Sequence, residues 1–203
     1  MDRERIAEIF EEHRFKLSEE TAHLFSLYLN ELLRWNRVHN LTSVREPEEI
    51  VRRHFVDSLS LLDCFSEAGA RWRGNEVADV GSGAGFPGVP LKIYLRDFKL
   101  YLIESVSKKC SFLEFLKVRL GLEWEVICKR AEEVDRKFDI VISRAMGEFE
   151  DIYPILESLS KGYVFVMKGE RVSERWKREL GYRACRTKVP KLPPSYVLWK
   201  RLK

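Results

Sequence analysis

The chain has 203 residues, a formal net charge of +4 and a hydrophobic content of 45%, values typical of a globular protein. Its length suffices for one α/β domain with a modest extension but not for two full domains. No segment approaches the roughly 20 apolar residues of a membrane-spanning helix. The charged N-terminus also lacks the apolar core of a signal peptide. We therefore expect a cytoplasmic protein.

The first third of the sequence is predicted to be helical. Ser18 can cap a helix that has Glu19 and Glu20 in its first turn and apolar residues at helical spacing up to Trp35. A second helix is predicted to begin near Pro47 and to continue through Leu62. These helices predict an N-terminal helical cap over residues 1–70.

From Glu76 onward, short apolar runs alternate with amphipathic stretches. The runs cover residues 77–80, 99–103, 124–128, 139–143 and 163–167, and the helical stretches lie near 88–96, 107–120 and 149–160. This alternation predicts an α/β fold with a parallel sheet covered on both faces. Residues 183–189 and 196–202 predict a closing antiparallel hairpin. A Rossmann-like domain is therefore expected over residues 71–203.

The four cysteines lie far apart in the sequence, at Cys64, Cys110, Cys128 and Cys185. The chain has no C-x-x-C pair and no His/Cys spacing typical of a zinc site. We therefore expect reduced, mostly buried thiols and no bound metal. The absence of glutamine and the presence of only four asparagines among many charged residues suggest a thermophilic source, without indicating a function.

A glycine-rich turn, Asp79–Gly88, follows the first predicted strand and precedes a helix. Gly81, Gly83 and Gly85 allow the backbone to approach a ligand at the carboxyl edge of the sheet. The segment also matches G-x-G-x-x-G, the weak fingerprint of dinucleotide sites. Asp79 would repel a pyrophosphate but could pair, directly or through water, with an ammonium group. Pro87 lacks an N–H donor for phosphate. The turn therefore favours S-adenosylmethionine, with a dinucleotide as the alternative.

Other predicted cofactor contacts follow the next strands. Glu104 ends the second strand, where it can accept hydrogen bonds from both ribose hydroxyls. Ala131 and Glu132 follow the third strand, where an adenine ring would lie, although they could equally form the acidic first turn of a short helix. Ser143 and Arg144 end the fourth strand, near the expected position of the transferable methyl group.

The residues beside this position restrict the methyl acceptor. Residues 143–148 contain no cysteine, which methylation of pyrimidine C5 requires as a nucleophile. They also lack the [N/D]-P-P-[F/Y] loop typical of adenine amino methylation. Guanine N7 has a lone pair and no proton to lose, so positioning would supply most of the rate and no general base is expected. Arg144 could hold O6 or a phosphate, or could simply be a structural ion-pair residue.

Five motifs together resemble the RsmG family, also called GidB. They are Trp35-Asn36 with Asn40-Leu41-Thr42, His54-x-x-Asp57-Ser58-Leu59, the Asp79–Gly88 turn, Ser143-Arg144-Ala145 and Lys168-Gly169. The resemblance implies a seven-stranded methyltransferase fold. It also implies cofactor contacts at Gly81, Phe86, Ala131, Glu132 and Arg144, to which our own analysis adds Asp79, Gly83 and Glu104. The implied reaction is methylation of N7 of guanine 527 in the 530 loop of 16S rRNA, near the decoding site, with S-adenosylhomocysteine as product.

The polar residues of the helical cap have two possible roles. His54 and Asp57 share one helix face and could stabilise the Asn40–Thr42 segment by hydrogen bonds. Alternatively, Asn40, Arg52, His54 and Asp57 could border the substrate cleft opposite the cofactor. We favour the structural role over direct contact with RNA.

Charge is unevenly distributed along the chain. Residues 161–203 contain 13 Lys/Arg and 3 Asp/Glu, whereas residues 1–60 contain 9 basic and 12 acidic residues. With the resemblance, this predicts that a basic surface of residues 161–203 binds 16S rRNA or the 30S subunit. The alternative for the charge is a solvated cationic face. The alternative functions are a methyltransferase that acts on another RNA, a small molecule or a protein, and a dinucleotide-binding protein or oxidoreductase. We expect no membrane partner and a monomer.

Overall fold

The computed structural model describes residues 1–144, 147–170 and 172–203. Within these residues a seven-stranded sheet runs in the order β3-β2-β1-β4-β5-β7-β6. The strands are β1 (Glu76–Val80), β2 (Lys99–Ile103), β3 (Glu125–Ile127), β4 (Phe138–Arg144), β5 (Ser160–Gly169), β6 (Arg183–Arg186) and β7 (Tyr196–Arg201). The alternating pattern of the sequence therefore predicted each of these strands to within a few residues.

The first five strands are parallel and the last two are antiparallel. β1 pairs with β2 and β4, and β5 extends the parallel sheet beside β4. β7 lies antiparallel between β5 and β6. The predicted mostly parallel sheet with an antiparallel C-terminal hairpin is confirmed. The carboxyl ends of the parallel strands consequently meet at one edge, here called the carboxyl edge.

Helices cover both faces of this sheet. On one face lie α1 (Arg3–Glu12), α2 (Glu19–His39), the helical run of residues 47–68, α6 (Gly88–Leu95) and α7 (Ser107–Leu120). On the other face lie α8 (Phe149–Ser158) and α9 (Glu174–Arg178). A hydrophobic core lies between the sheet and the helices on each face. Alternate strand residues belong to different cores: Val77 packs on the face of α2, and Ala78 packs on the face of α8.

The cap helices begin where the sequence supplies caps. Ser18 accepts a hydrogen bond from the amide of Thr21 at the start of α2, as predicted, and Asp2 accepts from Arg5 at the start of α1. α2 ends at His39, and its C-cap residue Asn40 adopts φ +48°. The cap shares a continuous hydrophobic core with one face of the sheet. The proposed boundary at residue 70 stays a prediction.

The helix predicted from Pro47 to Leu62 is interrupted. It consists of α3 (Pro47–Ile50), a π-helical segment (Val51–Val56) and α4 (Asp57–Leu59), and α5 (Leu61–Ala68) follows after Ser60. A π-helical turn contains one more residue than an α-turn and is frequent at functional sites. This segment contributes His54 to the carboxyl edge, as described below.

The expectation of reduced thiols is wrong for the structure. Cys64 of α5 is bonded to Cys185 of β6, and Cys110 of α7 is bonded to Cys128 after β3. The fold brings together residues 121 and 18 positions apart, which sequence spacing alone does not reveal. In the described part of the chain no helix is long and apolar enough to cross a bilayer.

Candidate cofactor and substrate site

The glycine-rich turn lies at the carboxyl edge between β1 and α6. Gly81, Gly83 and Gly85 have φ of +71°, +57° and +104°, a region that favours glycine. A Cβ atom at Gly88 would lie 2.8 Å from Asp79 Oδ2, so this position also requires glycine. The turn therefore exposes backbone without side chains at the carboxyl edge, where the sequence predicted a ligand.

Asp79 supports the turn from beneath. Its side chain is fully buried, and Oδ2 accepts a hydrogen bond of 2.8 Å from the amide of Gly88. Burial raises the pKa of Asp79 well above its usual range. Among the described residues Oδ1 has no hydrogen-bond partner and retains the capacity to accept one. Its predicted pairing with a ligand ammonium group stays a prediction.

Glu104 lies on the opposite side of the turn, at the end of β2. Oε2 accepts from the amide of Gly83 at 2.7 Å, and Oε1 accepts from the amide of Val106 at 3.0 Å. Each carboxylate oxygen has a second lone pair that can accept another donor. The side chain therefore anchors the turn and keeps capacity for the hydroxyls of a ribose. These acceptors fit S-adenosylmethionine.

The predicted adenine contacts also lie at the carboxyl edge. Ala131 is buried and Glu132 is exposed in a 3-10 turn, Ala131–Glu133, after β3. The Glu133 side chain accepts from the amide of Arg130, so this segment is also the short acidic helical turn that was the alternative. Both interpretations therefore describe the same turn, and its contact with adenine stays a prediction.

Arg144, at the end of β4, contacts both the cap and the glycine-rich turn. Its Nη1 atom lies 3.4 Å from Asp57 Oδ2 and 3.2 Å from the carbonyl oxygen of Arg53. Its guanidinium carbon lies 5.0 Å from the ring centroid of Phe86, within the range of a cation–π contact. Arg144 is therefore both an ion-pair residue and a neighbour of the glycine-rich turn.

The hydrogen bonds of His54 fix its tautomer. Its Nδ1 atom lies 3.0 Å from Arg144 Nη2, which can only donate, so Nδ1 accepts. Its Nε2–H group then donates to Thr42 Oγ1 at 2.9 Å. Burial and the Arg144 cation lower the pKa of His54 to about 4. His54 is therefore neutral near pH 7, and both ring nitrogens are engaged.

The other polar residues of the cap lie in different surroundings. Burial raises the pKa of Asp57, and the neighbouring Arg144 opposes that shift. Asn40 is exposed and accepts a hydrogen bond from Arg45, whereas Arg52 donates to Glu48. His54 and Asp57 therefore meet Arg144. Asn40 and Arg52 make other contacts, and the alternative that they border the substrate cleft is not tested by these contacts.

A cavity of about 430 Å³ opens beside Arg144, between the ends of β4 and β5. Its polar lining includes Asp57, Arg144, Lys168 and Ser195. Ser195 comes from the loop before β7. Ser143, in contrast, is fully buried and donates to the carbonyl oxygen of Val80, so it connects two strands. Ala145, part of one family motif, lies outside the described residues.

Tyr28 also contacts the glycine-rich turn and was not predicted from the sequence. Tyr28 lies in the apolar stripe of α2, and its hydroxyl donates to the carbonyl oxygen of Ala84 in the glycine-rich turn. A buried hydroxyl inside an apolar stripe needs a hydrogen-bond partner, and this requirement was the only indication in the sequence that Tyr28 contacts another polar group. Its partner, 56 residues away, could not be identified from the sequence.

Solved structures similar to this chain include several methyltransferases. Magnesium protoporphyrin IX methyltransferase from Synechocystis, with bound S-adenosylmethionine, aligns over 92% of this chain and 98% of its own with a TM-score of 0.61. A putative RNA methyltransferase from Pyrococcus horikoshii aligns over 78% of this chain and 87% of its own with a TM-score of 0.54. Both are 16% identical to this chain, so they confirm the fold alone.

Sequence relatives are more informative. Ribosomal RNA small subunit methyltransferase G of Aquifex aeolicus is 59% identical over 97% of this chain and 100% of its own length. The protein of that name from Lactobacillus delbrueckii is 33% identical over 96% of this chain and 87% of its own. A model of the GidB family, rRNA small subunit methyltransferase G, matches residues 21–191. This chain therefore belongs to the GidB family.

Proposed function

We propose that this protein transfers a methyl group from S-adenosylmethionine to N7 of a guanine in small-subunit rRNA. The observation that carries this proposal is the position of Arg144. Its guanidinium lies against Phe86 of the cofactor turn and also lines the cavity between β4 and β5. A base in that cavity would be adjacent to the cofactor. Membership of the GidB family supports rRNA as the substrate.

The residues of the turn would hold the cofactor by its polar groups. The backbone of Gly81 and Gly83 allows close approach, and Glu104 accepts from the ribose hydroxyls. Asp79 Oδ1 would accept from the ammonium group through water, because the side chain has no exposed surface, while Ala131 and Glu132 would meet the edge of the adenine. S-adenosylmethionine supplies an activated methyl group and leaves as S-adenosylhomocysteine.

The surroundings of Arg144 suit an acceptor that needs no deprotonation. His54 is neutral and uses both ring nitrogens, so it is not free to remove a proton from a substrate. Guanine N7 already carries the attacking lone pair, so orientation and exclusion of water supply the rate. Arg144 donates to guanine O6 or to a neighbouring phosphate. The target base would be unstacked from its loop to enter the cavity.

The basic residues of the C-terminal region lie at two opposite edges of the sheet, because its strands run in different directions. Lys161 and Lys200 form ion pairs near the edge opposite the site. Lys168 lines the cavity, and Arg186 and Lys188 are exposed at the carboxyl edge. We assign the predicted contact with 16S rRNA or the 30S subunit to these last three residues, because they share an edge with the site.

Methyl transfer tests this function directly. Labelled S-adenosylmethionine is incubated with 30S subunits or 16S rRNA, and the product is mapped by chemical cleavage at N7-methylated guanine. We expect one modified guanine, in the 530 loop. Label at another RNA atom, in protein or in no substrate would contradict the proposal.

Arg144→Lys provides the matching variant, because lysine keeps the charge but loses the planar donor fork. We expect kcat to fall at least tenfold. Arg136→Lys is the control, since Arg136 also lies over an aromatic ring and pairs with a glutamate, at the opposite edge of the sheet. Equal activity of the two variants would contradict the assigned role of Arg144.

A further inference from the structure

A tyrosine of the helical cap contacts the cofactor turn from behind. Tyr28 of α2 has no exposed surface, and its hydroxyl donates to the carbonyl oxygen of Ala84 at 2.5 Å. The contact is close enough to exclude any side chain at the next position. A Cβ atom at Gly85 would lie 2.7 Å from Tyr28 Oη.

The ring of Tyr28 extends this contact toward the substrate side. It stacks on Phe86, with ring centroids 5.7 Å apart and an interplanar angle of 25°. Phe86 in turn stacks on His54 at 4.6 Å and lies beneath the guanidinium of Arg144. A single column of side chains therefore runs from α2, through the turn, to the arginine beside the cavity.

The hydroxyl has a defined role in this column. Burial raises the pKa of Tyr28 well above its usual range, so the group is a neutral donor. A buried carbonyl that loses its donor is destabilised relative to conformations that expose it to water. Removal of the hydroxyl would therefore favour other conformations of the turn over the one that presents Gly83 and Gly85.

We propose that Tyr28 is a positioning residue for the cofactor: its hydroxyl holds the glycine-rich turn in the binding-competent conformation through the Ala84 carbonyl. This inference rests on the proposed function, since the ligand of the turn is S-adenosylmethionine. It assigns part of cofactor binding to the cap, outside the segment that carries the glycine motif.

Tyr28→Phe tests the inference, because it removes the hydroxyl and keeps the stacked ring. Tyr163→Phe is the matched control. The Tyr163 hydroxyl also donates to a carbonyl oxygen, that of Ala68, but Tyr163 lies on β5 away from the turn. Calorimetry with S-adenosylhomocysteine should give a Kd about five- to thirtyfold higher for Tyr28→Phe. The Kd of Tyr163→Phe should stay within twofold of the unmodified protein.

Hydrogen exchange of the ligand-free proteins supplies a second readout. Amides of residues 81–88 should exchange faster in Tyr28→Phe than in the unmodified protein or in Tyr163→Phe, while circular dichroism confirms that each variant is folded. If Tyr28→Phe binds as tightly as the unmodified protein, or if both variants are weakened equally, the inference is overturned. If the unmodified protein itself does not bind, the cofactor assignment fails and this inference fails with it.

Discussion

Glu104 is the residue on which the cofactor assignment can be tested most directly. Its two oxygens accept from the amides of Gly83 and Val106, and the residue is only 6% exposed. Glu104→Ala removes the acceptors proposed for the ribose and also one anchor of the turn. The loss should be about 1–3 kcal/mol of binding free energy, equivalent to a roughly 5- to 150-fold higher Kd.

Calorimetry with S-adenosylhomocysteine measures this change, and Glu104→Gln is the graded control because it retains one acceptor oxygen. Its Kd should lie between those of the alanine variant and the unmodified protein. NAD, titrated into the unmodified protein, should give no heat of binding. Binding of NAD, or an unchanged Kd for Glu104→Ala, would contradict the assignment.

Individual residues of the site were predictable where their role depends on position in a strand. Glu104 directly follows β2 and Arg144 ends β4, and in a parallel sheet such residues share one edge. Position at the end of a strand predicts the same edge for Ser143 and Arg144. It does not show that their side chains point to opposite faces of the sheet and so have different surroundings. The partners of Tyr28 and His54 depend on how the cap lies on the sheet, which no local pattern encodes.

At the scale of elements, the disulfide between Cys64 and Cys185 joins cap helix α5 to edge strand β6. The two residues are 121 positions apart, so the bond strongly restricts the unfolded chain. Cys64→Ala/Cys185→Ala should lower the free energy of unfolding by roughly 2–5 kcal/mol. Cys110→Ala/Cys128→Ala, which opens a link between residues only 18 apart, should cost less.

Calorimetric melting without reductant compares the two double variants. Alkylation of the denatured protein before and after reduction counts the free thiols. We expect none before reduction and four afterwards, since the described residues contain no free cysteine. Alkylation of all four thiols before reduction would contradict this prediction. Equal Tm values for the two double variants and the unmodified protein would also contradict it.

The elements themselves were largely predictable, because alternation of apolar strands and amphipathic helices is a local signal. Helix α1 lies in the region predicted to be helical, but its bounds were not predicted, although Asp2 caps it. The interruption at Val51–Val56 was missed because a π-helical turn preserves the apolar residues of an α-helical pattern while shifting their phase. The disulfides were missed because proximity across the fold leaves no trace in sequence spacing.

At the scale of the whole molecule, charge is arranged by the direction of the strands. β6 runs toward the carboxyl edge and ends at Arg186, whereas β7 runs away from it and ends at Arg201. Basic residues that are close in sequence therefore lie at opposite edges of the sheet. Sequence analysis predicted the local excess of positive charge but could not divide it, because that division depends on strand order and direction.

This arrangement predicts which cations contact RNA. Arg186→Ala/Lys188→Ala removes two positive charges at the carboxyl edge, and Lys137→Ala/Lys203→Ala removes two exposed charges at the other edge. Both double variants have the same net charge, so any difference in RNA binding reflects position.

If the two carboxyl-edge cations each contact a phosphate, the slope of log K against log salt should become shallower by about 2 in the first variant. The control should keep the slope of the unmodified protein. Filter binding of 16S rRNA across a salt series measures both, and equal slopes for the two variants would contradict the assignment of this edge to RNA.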